Sequence, residues 1–264
     1  MDLQLKNKTA FVSGSTAGIG FAITQSLLQE GVKVIINGRT RESIDAAVRK
    51  LKGIVPGADV SGIAADFSKA AEVEQLVAQL PEVDILVNNA GIFEPKAFAE
   101  IPDEDWFRFF EVNVMSGIRL SRAVFPKMLE KNWGRIIFIS SESAVFIPDE
   151  MIHYGMTKTA QLAVARGLAE LTKNSGVTVN SILPGPTRSQ GVETFLGDLS
   201  KAGNVSISEV EKDFFKNLRP SSLLQRFATV DEVAHTVTYY CSPLASATNG
   251  ASIRVEGGLI RSIL

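Results

Sequence analysis

Thr9-Ala10-Phe11-Val12-Ser13-Gly14-Ser15-Thr16-Ala17-Gly18-Ile19-Gly20 is the stretch on which the fold turns. A short, largely apolar run leads into closely spaced glycines, and an amphipathic pattern, Ile19–Glu30, follows. That is the pattern of a buried strand, a tight turn and a helix. Gly14 permits the turn. Gly18 withholds a side chain where a pyrophosphate would approach the backbone, and Gly20 lets the helix pack closely. The first turn of a helix offers unpaired N–H groups and a partial positive charge, so Ser15, Thr16 and Ile19 stand where a phosphate would sit. The spacing is G-x-x-x-G-x-G, not the G-x-G-x-x-G of many dinucleotide sites. By itself such a turn suits a ligand-free strand–helix corner equally well.

Downstream the same alternation repeats. Thr9–Ser13, Lys33–Asn37, Val60–Ala65, Asp84–Asn88, Arg135–Ser140, Val177–Leu183 and Ser252–Val255 read as strands, most of them nearly continuously apolar, as strands covered on both faces are. Helical patterns lie between them at Ile19–Glu30, Arg41–Leu51, Ala70–Gln79, Glu104–Glu130, Tyr154–Asn174 and Val230–Cys241. The expected fold class is α/β, a doubly wound Rossmann-type parallel sheet of seven strands with helices on both faces. No linker or repeat divides residues 1–264, so a single domain is expected. From Thr187 to about Leu224 the pattern turns polar and irregular, which is long for a connection and reads as a substrate lid at about 187–224.

Composition narrows the function. Of the 264 residues 45% are hydrophobic and the net charge is −2, with no long run of either sign, so neither nucleic acid nor an anionic membrane is an expected partner. Cys241 is the only cysteine, which excludes an internal disulfide, and Cys241, His153 and His235 are too dispersed for a metal site. Met1–Thr9 is polar, without the apolar core of a signal peptide, and no stretch approaches a membrane span. A cytoplasmic location is expected.

The second strand ends in Ile35-Ile36-Asn37-Gly38-Arg39. An NAD site places an acid there for the ribose 2′-OH, but a carboxylate would repel a 2′-phosphate. Asn37 followed by Arg39 and Arg41 therefore predicts NADP in preference to NAD, with Arg39 as the phosphate reader.

Farther on, Tyr154 and Lys158 are spaced i,i+4, and Ser141 precedes the tyrosine by thirteen residues. On a helix the pair shares one face, and an ammonium beside a phenol favours phenolate. With a serine hydroxyl to hold an oxygen, this is acid/base equipment for an alcohol–ketone pair. His153 beside the tyrosine reads as a pocket-wall or surface residue.

Taken in order, these residues resemble the short-chain dehydrogenase/reductase family in its classical type, over essentially the whole chain. Gly14, Gly18 and Gly20 match its glycine motif. Asn88-Asn89-Ala90-Gly91 matches its Asn-Asn-Ala-Gly motif, and Asn113 the asparagine of its long fourth helix. Ser141, Tyr154 and Lys158 match its catalytic residues, Pro184-Gly185 its turn after the sixth strand, and Gly257-Gly258 the turn after the last. Ser189 stands where the family usually has threonine, Ser143-Ala144 replace its small-and-glycine pair, and Glu256 replaces a frequent aspartate.

The resemblance implies that Asp66 contacts adenine and that Asn89, Ala90 and Gly91 line the adenosine ribose side. It implies that Tyr154 and Lys158 also hold the nicotinamide ribose, and that Pro184, Gly185 and Thr187 or Ser189 meet the nicotinamide end. Asn113 would hold a water linking Lys158 to solvent. The implied reaction is hydride transfer between NADP(H) and a small-molecule carbonyl or secondary alcohol, in a homotetramer or homodimer. The expected pocket walls are Ile92, Phe93, Val145, Phe146, Ile147 and the lid from Gln190 onward, mostly apolar, with Glu94, Glu142 and Glu150 equally able to face water. An NAD-dependent alcohol dehydrogenase of the same family is the nearest alternative. A non-catalytic dinucleotide sensor would have no use for the serine, tyrosine and lysine together.

Overall fold

Apolar runs this continuous need cover on two sides, and the chain provides it. The computed structural model describes residues 1–263. Among them, β1 (Thr9–Val12), β2 (Lys33–Gly38), β3 (Val60–Ala64), β4 (Ile85–Asn88), β5 (Gly134–Ile139), β6 (Val177–Pro184) and β7 (Ser252–Val255) form one sheet in the order β3-β2-β1-β4-β5-β6-β7. Every neighbouring pair is parallel. Side-chain alternation divides the core between the faces. Ala10 and Val12 pack with Leu27, Ile36, Ile44 and Val233, while Phe11, between them, packs with Leu86, Val124, Phe138 and Ala165.

The helices are α1 (Gly18–Gln29), α2 (Arg41–Ile54), α3 (Ala70–Gln79), α4 (Asp103–Phe110), α5 (Ser116–Glu130), α6 (Ile152–Glu170), α7 (Gln190–Gly203), α8 (Ile207–Asp213) and α9 (Val230–Tyr240). The strand order reverses between β1 and β4. In an open parallel sheet that reversal leaves a crevice beyond the carboxyl ends of the strands. The glycine turn after β1, the Asn88–Gly91 segment after β4 and the serine turn after β5 all open there.

One reading gains a detail and two need correction. Glu104–Glu130 is helical as read, but a π-helical turn over Glu111–Met115 joins α4 to α5 within it. Hydrogen bonds from Asn113 to other parts of the chain, described below, hold that turn. The helix carrying Tyr154 spans Ile152–Glu170 rather than reaching Asn174, whose φ of 64° lies in the left-handed region. Thr187–Leu224 is not irregular throughout. Ser189 and Ser206 cap α7 and α8 through their side chains, and a second π turn covers Phe214–Leu218.

Candidate active site

The glycine turn is braced from β4. Ser13 Oγ accepts from the N–H groups of Asn89 (2.9 Å) and Ala90 (3.0 Å), and Asn89 Nδ2 donates to the carbonyls of Ser13 (3.0 Å) and Gly14 (2.9 Å). A Cβ at Gly20 would lie 2.5 Å from both Asn89 Nδ2 and the Gly14 carbonyl, so only glycine fits there. Gly14 has φ 58° and Gly18 φ 57°, both in the left-handed region. Ser15 is buried and donates to the Val12 carbonyl at 2.6 Å, so it shapes the loop from inside. No side chain caps α1, and no acidic residue stands in its first turn. Those amides and the positive end of the dipole are left for an anion.

Asn37 does more than stand in for a missing acid. It is buried, its Oδ1 accepts from the Gly14 N–H at 3.1 Å, and its Nδ2 donates to the carbonyls of Ile63 (3.1 Å) and Ala65 (3.3 Å). One amide thus ties β2 to β3 and to the glycine turn. Arg39 is exposed and makes no hydrogen bond or ion pair among the described residues. Arg41, by contrast, is engaged with Asp45 (3.0 Å) and the Gly62 carbonyl (3.3 Å). Asp66 accepts from Ser68 N at 2.9 Å and Ser68 Oγ at 2.8 Å, and the backbone bond is the main reason its carboxyl is held below the ordinary range.

Ser141 lies in the turn after β5, and Tyr154 and Lys158 lie on consecutive turns of α6. Lys158 Nζ is buried, donates to the Ile139 carbonyl at 3.0 Å and to Gln161 Oε1 at 3.3 Å, and stands 5.6 Å from the Tyr154 ring centre. Desolvation pushes the ammonium down to about 8, with the Glu142 carboxylate opposing. The phenol moves the other way. Burial first and the Glu142 charge second raise the Tyr154 pKa above its ordinary value, with the neighbouring Ser141 hydroxyl opposing. Lys158 stands near the phenol, as the i,i+4 spacing predicts, while burial of the phenol opposes its ionisation.

Asn113 is tied into its surroundings at both ends of its amide. Its Oδ1 accepts from Ile92 N at 2.7 Å, and its Nδ2 donates to the Ile92 carbonyl (3.0 Å) and Thr157 Oγ1 (3.0 Å). Its main-chain carbonyl accepts from Gln161 Nε2 at 2.6 Å. Gln161 thus touches both Lys158 Nζ and the Asn113 carbonyl.

The short chain dehydrogenase family model matches residues 8–198 of this geometry. The chain belongs to the short-chain dehydrogenase family. YvaG of Bacillus subtilis (strain 168), an uncharacterized oxidoreductase, is 49% identical over the full length of both chains. The crystal structure of L-sorbose reductase from Gluconobacter frateurii, complexed with NADPH and L-sorbose, superposes with a TM-score of 0.93 over all of both chains at 28% identity. An actinorhodin polyketide ketoreductase with NADPH gives 0.87 over 97% of this chain and 98% of that one, at 29% identity. The protein is an oxidoreductase enzyme.

In this dehydrogenase one cavity of about 450 Å³ gathers Ile19, Asn89, Gly91, Ser141, Tyr154, Lys158, Pro184, Gly185, Thr187 and Ser189. Thr187 Oγ1 donates to the Gly185 carbonyl at 2.8 Å, and Ser189 Oγ accepts from Val192 N at 3.4 Å as the cap of α7. Gly14, Ser15, Thr16, Gly18, Gly20, Arg39, Asp66 and Ala90 belong to the glycine turn and strand ends outside that lining. Ile92 and Phe93 are walls, as expected. Val145, Phe146 and Ile147 are exposed and do not line this cavity. The apolar wall comes instead from Met151 and from Val192, Phe195, Phe214, Leu218 and Phe227. His153 is neither wall nor surface, but fully buried 4.0 Å from the Phe109 ring, where desolvation lowers its pKa.

Of two further groups, the sequence reading left one open and missed the other. Glu142 is buried against Ser141 Oγ, and burial pushes its carboxyl up. Arg219, buried beside the second π turn, donates from Nη2 to Glu150 Oε1 at 2.9 Å and places Nε 3.7 Å from Glu142 Oε1. The adjacency of Glu142 to Ser141 was the available signal. Nothing in the sequence pointed to Arg219.

Proposed function

We propose that this enzyme transfers hydride between NADP(H) and a carbonyl or secondary alcohol on a partly apolar small molecule, with Tyr154 as proton donor and acceptor. The carrying observation is that Ser141, Tyr154 and Lys158 face one cavity that also takes in Ile19 of the uncapped glycine turn, distant from them in the chain. The donor set suits a phosphorylated dinucleotide, with free first-turn amides, left-handed glycines and an arginine without an ion-pair partner after β2. L-Sorbose reductase and the polyketide ketoreductase, both solved with NADPH, support the choice of NADP over NAD.

When bound, NADP(H) supplies or accepts the hydride. The chain does the rest. Ser141 Oγ holds the carbonyl oxygen, and the protonated Tyr154 delivers a proton to that oxygen as negative charge develops on it. A raised phenol pKa suits this direction, since it keeps the proton on Tyr154 until an alkoxide needs it. Lys158, positive below about pH 8, stabilises the phenolate left behind. Gln161 and the Asn113 carbonyl fix the ammonium from the far side. Residues 187–224 form the lid, with the Phe195, Phe214 and Phe227 rings excluding water from the cavity. We assign the working form as a homotetramer or homodimer, supported by Phe107 and Phe110, 74% and 39% exposed on α4. A cytoplasmic location accords with the single, buried Cys241. NADPH oxidation across a carbonyl panel tests the reading. Tight NADPH binding with no oxidation by any carbonyl would favour the sensor alternative.

A further inference from the structure

Glu142 is an unusual neighbour for a serine that has to hold a carbonyl oxygen. Its carboxyl is buried, lines the cavity, and takes the Ser141 hydroxyl at Oε2. Its Oε1 lies 3.7 Å from Arg219 Nε, beyond hydrogen-bond distance, and that buried Nε–H has no acceptor at all. The other guanidinium nitrogens are satisfied, Nη1 by the Leu218 carbonyl at 2.9 Å and Nη2 by Glu150 at 2.9 Å. Beside Ser143 and Glu150, the wall on this side is Phe93, Met151, Val192, Phe195, Phe214 and Leu218, which offer no side-chain donor or acceptor beyond the methionine sulfur. A polar pair with an unpartnered Arg219 Nε–H therefore stands beside a largely apolar wall, one hydrogen bond away from the reacting centre.

Ser141 has a single hydroxyl hydrogen. In the protein alone it goes to Glu142. When Ser141 turns it to a substrate carbonyl, Glu142 keeps Ser143 as a partner but loses one hydrogen bond, which is costly for a buried polar group. A group on the carbon next to the carbonyl reaches the space one hydrogen-bond length beyond Ser141 Oγ. A hydroxyl there restores what was lost. It donates to a Glu142 carboxylate, or accepts from the carboxylic acid that burial favours, and its oxygen is also an acceptor for Arg219. Resting on the carbonyl-reductase reading above, we propose that Glu142 is a specificity-determining residue that selects α-hydroxy ketones, and in reverse vicinal diols, over ketones without an adjacent hydroxyl.

The test compares α-hydroxyacetophenone, acetophenone and α-fluoroacetophenone as oxidants of NADPH. Fluorine withdraws electrons from the carbonyl more strongly than hydroxyl but does not donate a hydrogen bond and barely accepts one, so intrinsic reactivity alone favours the fluoro ketone. The wild type is expected to prefer the hydroxy ketone by at least about 10-fold in kcat/KM over both others, the effect of one hydrogen bond to a charged group. In Glu142→Leu that ranking should reverse to favour the fluoro ketone. Glu142→Gln, which keeps the shape without the charge, should retain a preference of only a few-fold, and it decides the matter if the leucine variant fails to bind NADPH. Equal or fluoro-favouring rates in the wild type overturn the inference, as does a hydroxyl preference that survives unchanged in variants that bind NADPH normally. Failure of all three ketones overturns it too. The reductase reading itself falls only if a broad panel of other carbonyls also fails while NADPH binds.

Discussion

Arg39→Ala isolates the cofactor choice in one atom group. Arg39 is exposed and free of ion pairs among the described residues, so its removal disturbs no packing, and stability should change by less than about 0.5 kcal/mol. Arg41 does not stand in, since its guanidinium is held by Asp45 at 3.0 Å and the Gly62 carbonyl at 3.3 Å. A charge-assisted hydrogen bond is worth about 1.5–3 kcal/mol, or roughly 10- to 150-fold in affinity. Solvent exposure and a Debye length of about 8 Å at physiological salt place this site at the low end, near 10-fold. NADH has no 2′-phosphate, so its affinity should barely move. Fluorescence titration of both cofactors against both proteins measures the difference, and the NADPH loss should shrink as salt rises. A loss below about twofold for NADPH, or an equal loss for NADH, would refute the reasoning.

Asn37→Ala orphans the Gly14 N–H and the Ile63 and Ala65 carbonyls, so calorimetry should record a Tm lower by roughly 5–10 °C, and an unchanged Tm would show that water replaces the amide. The kcat/KM for carbonyl reduction should fall as pH rises through about 8, because Lys158 is charged below that value and neutral above it, and a flat profile to pH 9.5 would count against its role. Gln161→Leu removes an acceptor of the ammonium at 3.3 Å, so the same limb should move to lower pH, a shift that a merely structural glutamine would not produce. Light scattering at working concentration should return two or four times the 28.5 kDa chain mass, and a monomer mass would contradict the assembly.

The parts of the molecule legible in the sequence are those that local chemistry decides. Strands such as Arg135–Ser140 announce themselves because burial on both faces demands continuous apolar residues. Gly14 and Gly20 are readable because no side chain fits there. The Tyr154–Lys158 spacing fixes their common face once α6 is a helix. What was missed depends on distant partners. The π turn at Asn113 is set by Ile92 and Thr157, to which the helical pattern of Glu104–Glu130 is blind. Gln161 gained its meaning only when Lys158 and the Asn113 carbonyl arrived on either side. Glu142 looked equally fit for water because its cover comes from Arg219, 77 residues later. The lid looked irregular because its helices are short and polar outside, although the Ser206–Glu209 capping box was there to be read.

Single-turnover oxidation of bound NADPH by Tyr154→Phe, beside the wild type and on the best carbonyl of the panel, tests the central claim most directly. General acid catalysis typically contributes 10²- to 10⁴-fold, so the hydride-transfer rate should drop by about that much while the NADPH Kd stays within a few-fold. A Tyr154→Phe enzyme that turned over at the wild-type rate would show that the proton comes from elsewhere, and the assignment of this cavity would fail.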